Sequence, residues 1–246
     1  MKRFFTAALE RMIAFVVRKG VPYAREATHG IYADRWHPHH ALREAALADT
    51  VAYISEAMPD AMIMADEFEV LTHAVKHAPA EGMVLEFGVR TGTTINHLAE
   101  RLPGRALHGF DSFEGLPEDW TGWTQRQGSF GGEGLPPVAA NVTLVRGWFD
   151  ASLPAFLEEN AGEVALIHID SDLYSSAKTV LDALAPRFRP GSIIVFNEYF
   201  NYPNWRAHEF RALQEFRSTH DVRYTYLCWG KFEVAVRIDA IGSSGG

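Results

Sequence analysis

Cysteine is nearly absent from this 246-residue chain, with Cys228 as the single copy. No internal disulfide can form, which excludes a small cross-linked fold and is expected of a cytoplasmic protein. Cys228 sits in an apolar, strand-like run, where a thiol serves as a small buried core residue. Long apolar runs are also missing. The longest, residues 12–17, is far short of the roughly 20 residues that span a bilayer. Glu10 and Arg11 interrupt the basic-apolar start of the chain, and no small-residue cleavage site follows. No membrane partner is expected. Lys/Arg runs are absent as well, and the formal net charge is -8. Binding to phosphate backbones needs a basic patch, so no nucleic-acid partner is expected either. The pyrophosphate fingerprint Gly-x-Gly-x-x-Gly does not occur, which argues against a NAD(P)-linked oxidoreductase.

What is present is a large apolar share, 47% of residues, enough for one α/β domain with a helical addition. Phe4, Phe5, Ala8, Leu9, Met12, Ile13 and Val16 recur at helical spacing and predict an amphipathic helix over residues 1–19. Its apolar face suits packing on the domain or on a second subunit, and a homodimer or higher homo-oligomer is expected. Residues 41–58 and 66–77 are helical by period, so residues 1–80 read as an N-terminal helical extension. Asp66, Glu67 and Glu69 favour a helix start, and His73, Lys76 and His77 a helix end.

The pattern changes at Met83. Short apolar runs at 83–89, 106–110, 142–146, 164–169 and 192–196 alternate with helical segments, the pattern of a parallel sheet. After a further helix, two more runs at 223–228 and 232–238 flank Trp229-Gly230-Lys231, a separation suited to a hairpin. Five parallel strands followed by an antiparallel hairpin favour the methyltransferase variant of the doubly wound fold. The expected architecture is a Rossmann-like α/β domain over residues 81–240 with a mostly parallel seven-stranded sheet, and a disordered tail over 241–246.

Two strand ends carry ligand-binding features. Residues 84–94 run strand, glycine turn, helix, with Gly88 and Gly92 in the turn. Such a turn brings backbone N–H groups to an anion at the helix N-terminus, which in S-adenosylmethionine would be the methionine carboxylate. Glu86 could take the ammonium end directly or through water. Asp111 ends the second run, where a carboxylate can accept both ribose hydroxyls, whichever nucleoside is bound. Glu86, Gly88, Arg90, Thr91, Gly92, Thr93, Asp111, Ser112 and Phe113 form the expected cofactor site.

Four strings occur in order: 86–89 (Glu-Phe-Gly-Val), 111–117 (Asp-Ser-Phe-Glu-Gly-Leu-Pro), 147–149 (Gly-Trp-Phe) and 169–176 (Ile-Asp-Ser-Asp-Leu-Tyr-Ser-Ser). Together they resemble the macrocin and mycinamicin O-methyltransferase family, over roughly residues 81–201. The resemblance implies metal-assisted methylation of a hydroxyl on a natural-product sugar, with Asp170 as metal ligand and base. Asn197 and Glu198 stand where that family usually carries two aspartates.

The chemistry agrees. Asp170 and Asp172 follow the fourth run, and Asn197 and Glu198 the fifth, so their side chains share one crevice in a parallel sheet. Oxygen donors of this kind hold Mg²⁺; the expected ligands are Asp170, Asn197 and Glu198, with Asp172 a helix N-cap. His168 alternates onto the face of Asp170 and suits a supporting role. The segment 115–140, rich in Gly and Pro, has the length of a lid. Trp120 and Trp123 within it, with Tyr202 after the fifth run, are the expected acceptor contacts. The expected acceptor is a glycosylated natural product or a nucleotide-sugar; a phenolic acceptor, or an inactive binding module, are the competing readings.

Overall fold

A computed structural model describes residues 36–242 except Glu133. The expected helix over 1–19 and the end of the 241–246 tail lie outside those residues. The chain divides into two compact units, Met1–Ala45 and Ala46–Gly246. Residues 46–80, expected to belong with a helical extension, are thus one unit with the sheet.

In chain order the elements are α1 (His39–Ala57), β1 (Met62–Ile63), α2 (Glu67–His77), β2 (Met83–Phe87), α3 (Thr93–Arg101), β3 (Leu107–Asp111) and β4 (Val142–Arg146). They continue with α4 (Phe149–Glu159), β5 (Val164–Ile169), α5 (Tyr174–Leu184), β6 (Ile193–Phe196), α6 (Glu209–Thr219), β7 (Arg223–Trp229) and β8 (Val234–Ala240). The strands form one sheet in the order β1-β7-β8-β6-β5-β2-β3-β4. Strands β2 to β6 pair in parallel, and β8 is inserted antiparallel between β6 and β7. The sheet has eight strands, not the expected seven. Met62 and Ile63 add a parallel edge pair to Cys228 and Trp229, and two residues are too few to show a period of two.

Every residue of β5 is buried. This central strand is covered on both faces, which is why it reads as a continuous apolar run. On one face Val84, Leu166 and Val195 pack with Val70, Leu71 and Ile95 from α2 and α3. On the other, Leu85, Ile167 and Phe196 pack with Leu153, Val180 and Leu213 from α4, α5 and α6. α2 is capped as its composition predicts: Asp66 accepts the N–H of Glu69. α4 begins at Phe149, earlier than its apolar pattern suggests, and carries Pro154 inside. The strand order reverses between β2 and β5. A crevice therefore opens at their carboxyl ends, where neighbouring connections leave to opposite faces.

Candidate active site

The glycine turn after β2 lies on one side of this crevice. Gly88 and Gly92 have positive φ, and so does Arg90. A Cβ on Gly88 would stand 1.8 Å from the carbonyl oxygen of Asp170, so only glycine lets this turn press against the turn after β5. The N–H of Asp170 in return donates to the Phe87 carbonyl at 2.8 Å. The two turns are thereby in backbone contact.

Asp111, at the end of β3, braces the glycine turn. Its Oδ2 accepts the N–H groups of Val89 at 2.9 Å and Arg90 at 2.8 Å, and its Oδ1 accepts that of Phe113 at 2.7 Å. A carboxylate offers about four acceptor sites, so capacity is left for a ligand hydroxyl.

A cleft of about 480 Å³ lies against both turns. Of the residues expected from sequence, Gly88, Arg90, Asp111, Ser112, Trp120, Asp170, Asn197 and Glu198 line it. Thr91, Gly92, Thr93, Phe113, Trp123 and Tyr202 stand outside its lining. So does Glu86, which is buried beneath the turn. Its Oε2 lies 2.8 Å from His168 Nδ1 and its Oε1 accepts the Thr94 hydroxyl at 3.1 Å. Glu86 thus ties β2 to β5 and to the start of α3. Burial disfavours the charged form of His168, but the Glu86 hydrogen bond and charge, with Asp170 and Glu67, outweigh it and raise its pKa.

The acids after β5 and β6 converge. One oxygen from each of Asp170, Asp172 and Glu198 lies within 4.8 Å of the others. Asp172 is not a helix cap: α5 starts after Leu173 without a side-chain cap, and Asp172 adopts a left-handed conformation with φ +65. Asn197 Nδ2 donates to Asp170 Oδ1 at 3.3 Å and to Glu198 Oε1 at 3.1 Å. A fourth acid, Glu209 at the start of α6, is fully buried; it accepts the N–H of Ser171 at 3.4 Å and of Glu198 at 3.1 Å. Sequence reading missed it, because an acid in a first helical turn has an ordinary dipole explanation.

Burial, and then mutual repulsion, push these acids upward. Burial, followed by the charges of Glu86 and Glu67, brings Asp170 to about 7 despite His168. Burial and the charge of Asp170 bring Asp172 to about 8. Glu198 and Glu209 are raised well above the ordinary carboxylate range for the same reasons. Four like charges cannot coexist in so little space without a proton or a cation. Three buried oxygens there, Ser171 Oγ, Asn197 Oδ1 and Glu198 Oε2, have no hydrogen-bond partner. A set of carboxylate oxygens with an amide carbonyl is the donor chemistry of Mg²⁺, so these residues fit such a group.

The 115–140 segment is anchored rather than free. The Leu116 N–H donates to the Ser129 carbonyl and the Gly128 N–H to the Leu116 carbonyl, each at 2.9 Å. Trp120 is buried, and Trp123 stacks on Tyr202 at 5.8 Å. Two large aromatics bind this segment to the domain despite its glycines, while Trp120 and Phe130 still face the cleft.

A family model described as "Methyltransferase domain" matches residues 85–199. Residues 85–199, just under half of the chain, are thus similar to a methyltransferase domain. Among solved structures, the calicheamicin methyltransferase CalS11 is similar at 25% identity over 80% of each chain, with a TM-score of 0.56. The O-methyltransferase NovP is similar in fold, at 19% identity over 69% of this chain and 78% of that one, with a TM-score of 0.53. A curated relative from Streptomyces olivaceus is the 8-demethyl-8-(2,3-dimethoxy-alpha-L-rhamnosyl)-tetracenomycin-C 4'-O-methyltransferase. It is 36% identical over 58 residues, which are 24% of this chain and 21% of that protein. The matched stretch includes both the Gly88 turn and the Asp170 turn. Among the described residues, no helix is long and apolar enough to cross a membrane.

Proposed function

We propose that this protein transfers the methyl group of S-adenosylmethionine to a hydroxyl oxygen of a sugar, carried by a natural product or by a nucleotide. The observation that carries this reading is the backbone contact between the Gly88 turn and the Asp170 turn. It sets a cofactor-binding loop beside an acid cluster in one cleft. The free N–H groups at the start of α3 suit the methionine carboxylate. The remaining acceptor capacity of Asp111 suits a ribose hydroxyl.

Sulfonium methyl transfer needs an oxygen with alkoxide character. Asp170 lines the cleft beside the Gly88 turn, where it is placed to accept the acceptor's proton. The hydroxyl O–H bond breaks towards Asp170, the oxygen forms its bond to the methyl carbon, and the carbon–sulfur bond breaks to leave S-adenosylhomocysteine. Asp170, Asp172 and Glu198 would hold a divalent cation, and Asn197 would join them with its amide turned to bring Oδ1 where Nδ2 now stands. Such a cation, when bound, lowers the pKa of the acceptor hydroxyl and neutralises the carboxylates. Trp120 and Phe130 give the cleft apolar surfaces, and Ser175, Ser176 and Thr179 give it hydroxyls. That mixture suits a sugar, and the tetracenomycin relative, by its name, methylates a rhamnosyl compound.

S-adenosylhomocysteine release across a panel of glycosylated and phenolic acceptors, with Mg²⁺ or EDTA, tests this. Turnover on a glycoside that EDTA abolishes is expected. Turnover on phenols alone would replace the sugar reading, and EDTA-indifferent turnover would remove the cation. Calorimetry with S-adenosylmethionine checks the cofactor separately. Asp111→Ala should weaken binding by about 1.5–3 kcal/mol, the scale of hydrogen bonds to charged groups.

A further inference from the structure

We propose that Glu209 is a positioning residue that joins the two acid-bearing turns and so sets the spacing of Asp170, Asp172 and Glu198. This rests on reading those acids as the centre of methyl transfer. The last backbone bond between the ends of β5 and β6 is Asn197 N–H to the Ile169 carbonyl, at 2.9 Å. Beyond it the two strands become separate turns. Glu209 reaches both of them from the start of α6. Its Oε1 accepts from Ser171, which sits between Asp170 and Asp172, and its Oε2 accepts from Glu198 itself. Tyr202 reinforces the same place, donating its hydroxyl to the Glu198 carbonyl at 3.2 Å.

The choice of residue type is informative. Glu209 is 0% exposed, and the acids nearest to it are Asp170, Asp172 and Glu198. A carboxylate buried beside three others is unfavourable for stability. An amide of equal size would avoid the repulsion. It could not do the same work, because only a carboxylate presents two acceptor oxygens to two N–H donors at once. Glutamine would turn an NH₂ group towards one of them. The protein therefore keeps a fourth acid in a crowded cluster, where both turns are held by one side chain. Glu209 does not line the cleft, so its effect passes through the acids it holds.

The test compares Glu209→Gln and Glu209→Asp with the full-length wild type. Mn²⁺ binding without acceptor, S-adenosylmethionine affinity, kcat and melting temperature are measured in parallel. For Glu209→Gln, Mn²⁺ affinity and kcat should each fall at least about tenfold, the range for outer partners of metal ligands. Cofactor affinity should stay within about twofold, because Asp111 and the Gly88 turn are untouched. The melting temperature should change little, because the removed repulsion offsets the lost hydrogen bond. Glu209→Asp keeps the charge and loses reach, and should show the same split in Mn²⁺ affinity and kcat; it also serves if the glutamine variant does not fold. Wild-type Mn²⁺ affinity and kcat in a folded variant would overturn the proposal. So would a loss of kcat accompanied by equally weakened cofactor binding and a lowered melting temperature, which would make Glu209 merely structural. A wild-type enzyme that binds no Mn²⁺ and works in EDTA would instead sink the cation reading. In that case kcat and cofactor affinity alone decide on Glu209.

Discussion

Two polar clusters in this protein, each of buried and part-buried residues, treat their hydrogen bonds in opposite ways. In the first, Tyr53, Tyr199 and Tyr224 all bring their hydroxyls to that of Tyr226, at 2.5, 2.8 and 3.2 Å. Gln214 donates to Tyr199 and Tyr224 at 3.2 Å each. Every hydroxyl has a partner, and the cluster joins α1, α6 and β7 to the loop after β6. In the second, around Asp170, three oxygens stand without partners and four carboxylates are held above their ordinary range. A cluster that only supports a fold satisfies itself, because an orphaned buried polar group costs about 1–3 kcal/mol. The acid cluster carries that cost, and it faces the cleft. The difference separates a structural polar network from a site prepared for something else.

The largest expected effect breaks the acid cluster. Asp170→Asn should lower turnover at least about 10²-fold, the lower bound for a general base, with cofactor affinity nearly unchanged. The same variant should melt higher than wild type at pH 8 without divalent cations, because one repelling charge is gone. Near-normal turnover would leave the acid cluster as passive as the tyrosines.

The reverse pattern is expected for the tyrosines. Tyr226→Phe removes the hydroxyl shared by three neighbours and should destabilise the fold by about 1–3 kcal/mol in denaturant unfolding. Its turnover should remain within about twofold of wild type. A tenfold fall in kcat would join the two clusters functionally and blur the contrast.

A smaller effect should appear as a pH dependence. Folding raises Asp170 to about 7 and Asp172 to about 8, against about 4 for a free aspartate. Between these values the folded protein holds more protons than the unfolded chain, so stability is lost as pH rises. His168, also raised, acts with the same sign. The melting temperature of cation-free protein should therefore fall from about pH 4 to about pH 8, and saturating Mg²⁺ should flatten the slope. A melting temperature that rises across this window, with EDTA present, would contradict the raised acids.

Much of the frame was legible in sequence because it depends on local pattern. The five runs that became β2 to β6 are recognised by apolar residues between turn formers, and the hairpin of β7 and β8 by its short connection. The glycine turn was visible because Gly88 and Gly92 stand between a strand and a helix. Asp111, Asp170 and Glu198 were visible because acids at strand ends stand out against apolar runs. β1 was not, since two residues have no period. Trp123 was expected at the acceptor, yet it stacks on Tyr202, a contact set by how a long loop folds back.

The sequence by itself determined the alternation of strands and helices, the glycines that the turns require, and the acids at the carboxyl ends of β5 and β6. Each is a property of one short stretch of chain. Only the tertiary structure decided that Glu86 lies beneath the cleft against His168, that Asp172 turns into the acid cluster instead of capping α5, and that Glu209 joins Ser171 to Glu198 across 38 and 11 residues of chain. The physical reason is the same in each case. A carboxylate's role depends on which donors and charges surround it once water is excluded, and its neighbours come from different strands and helices.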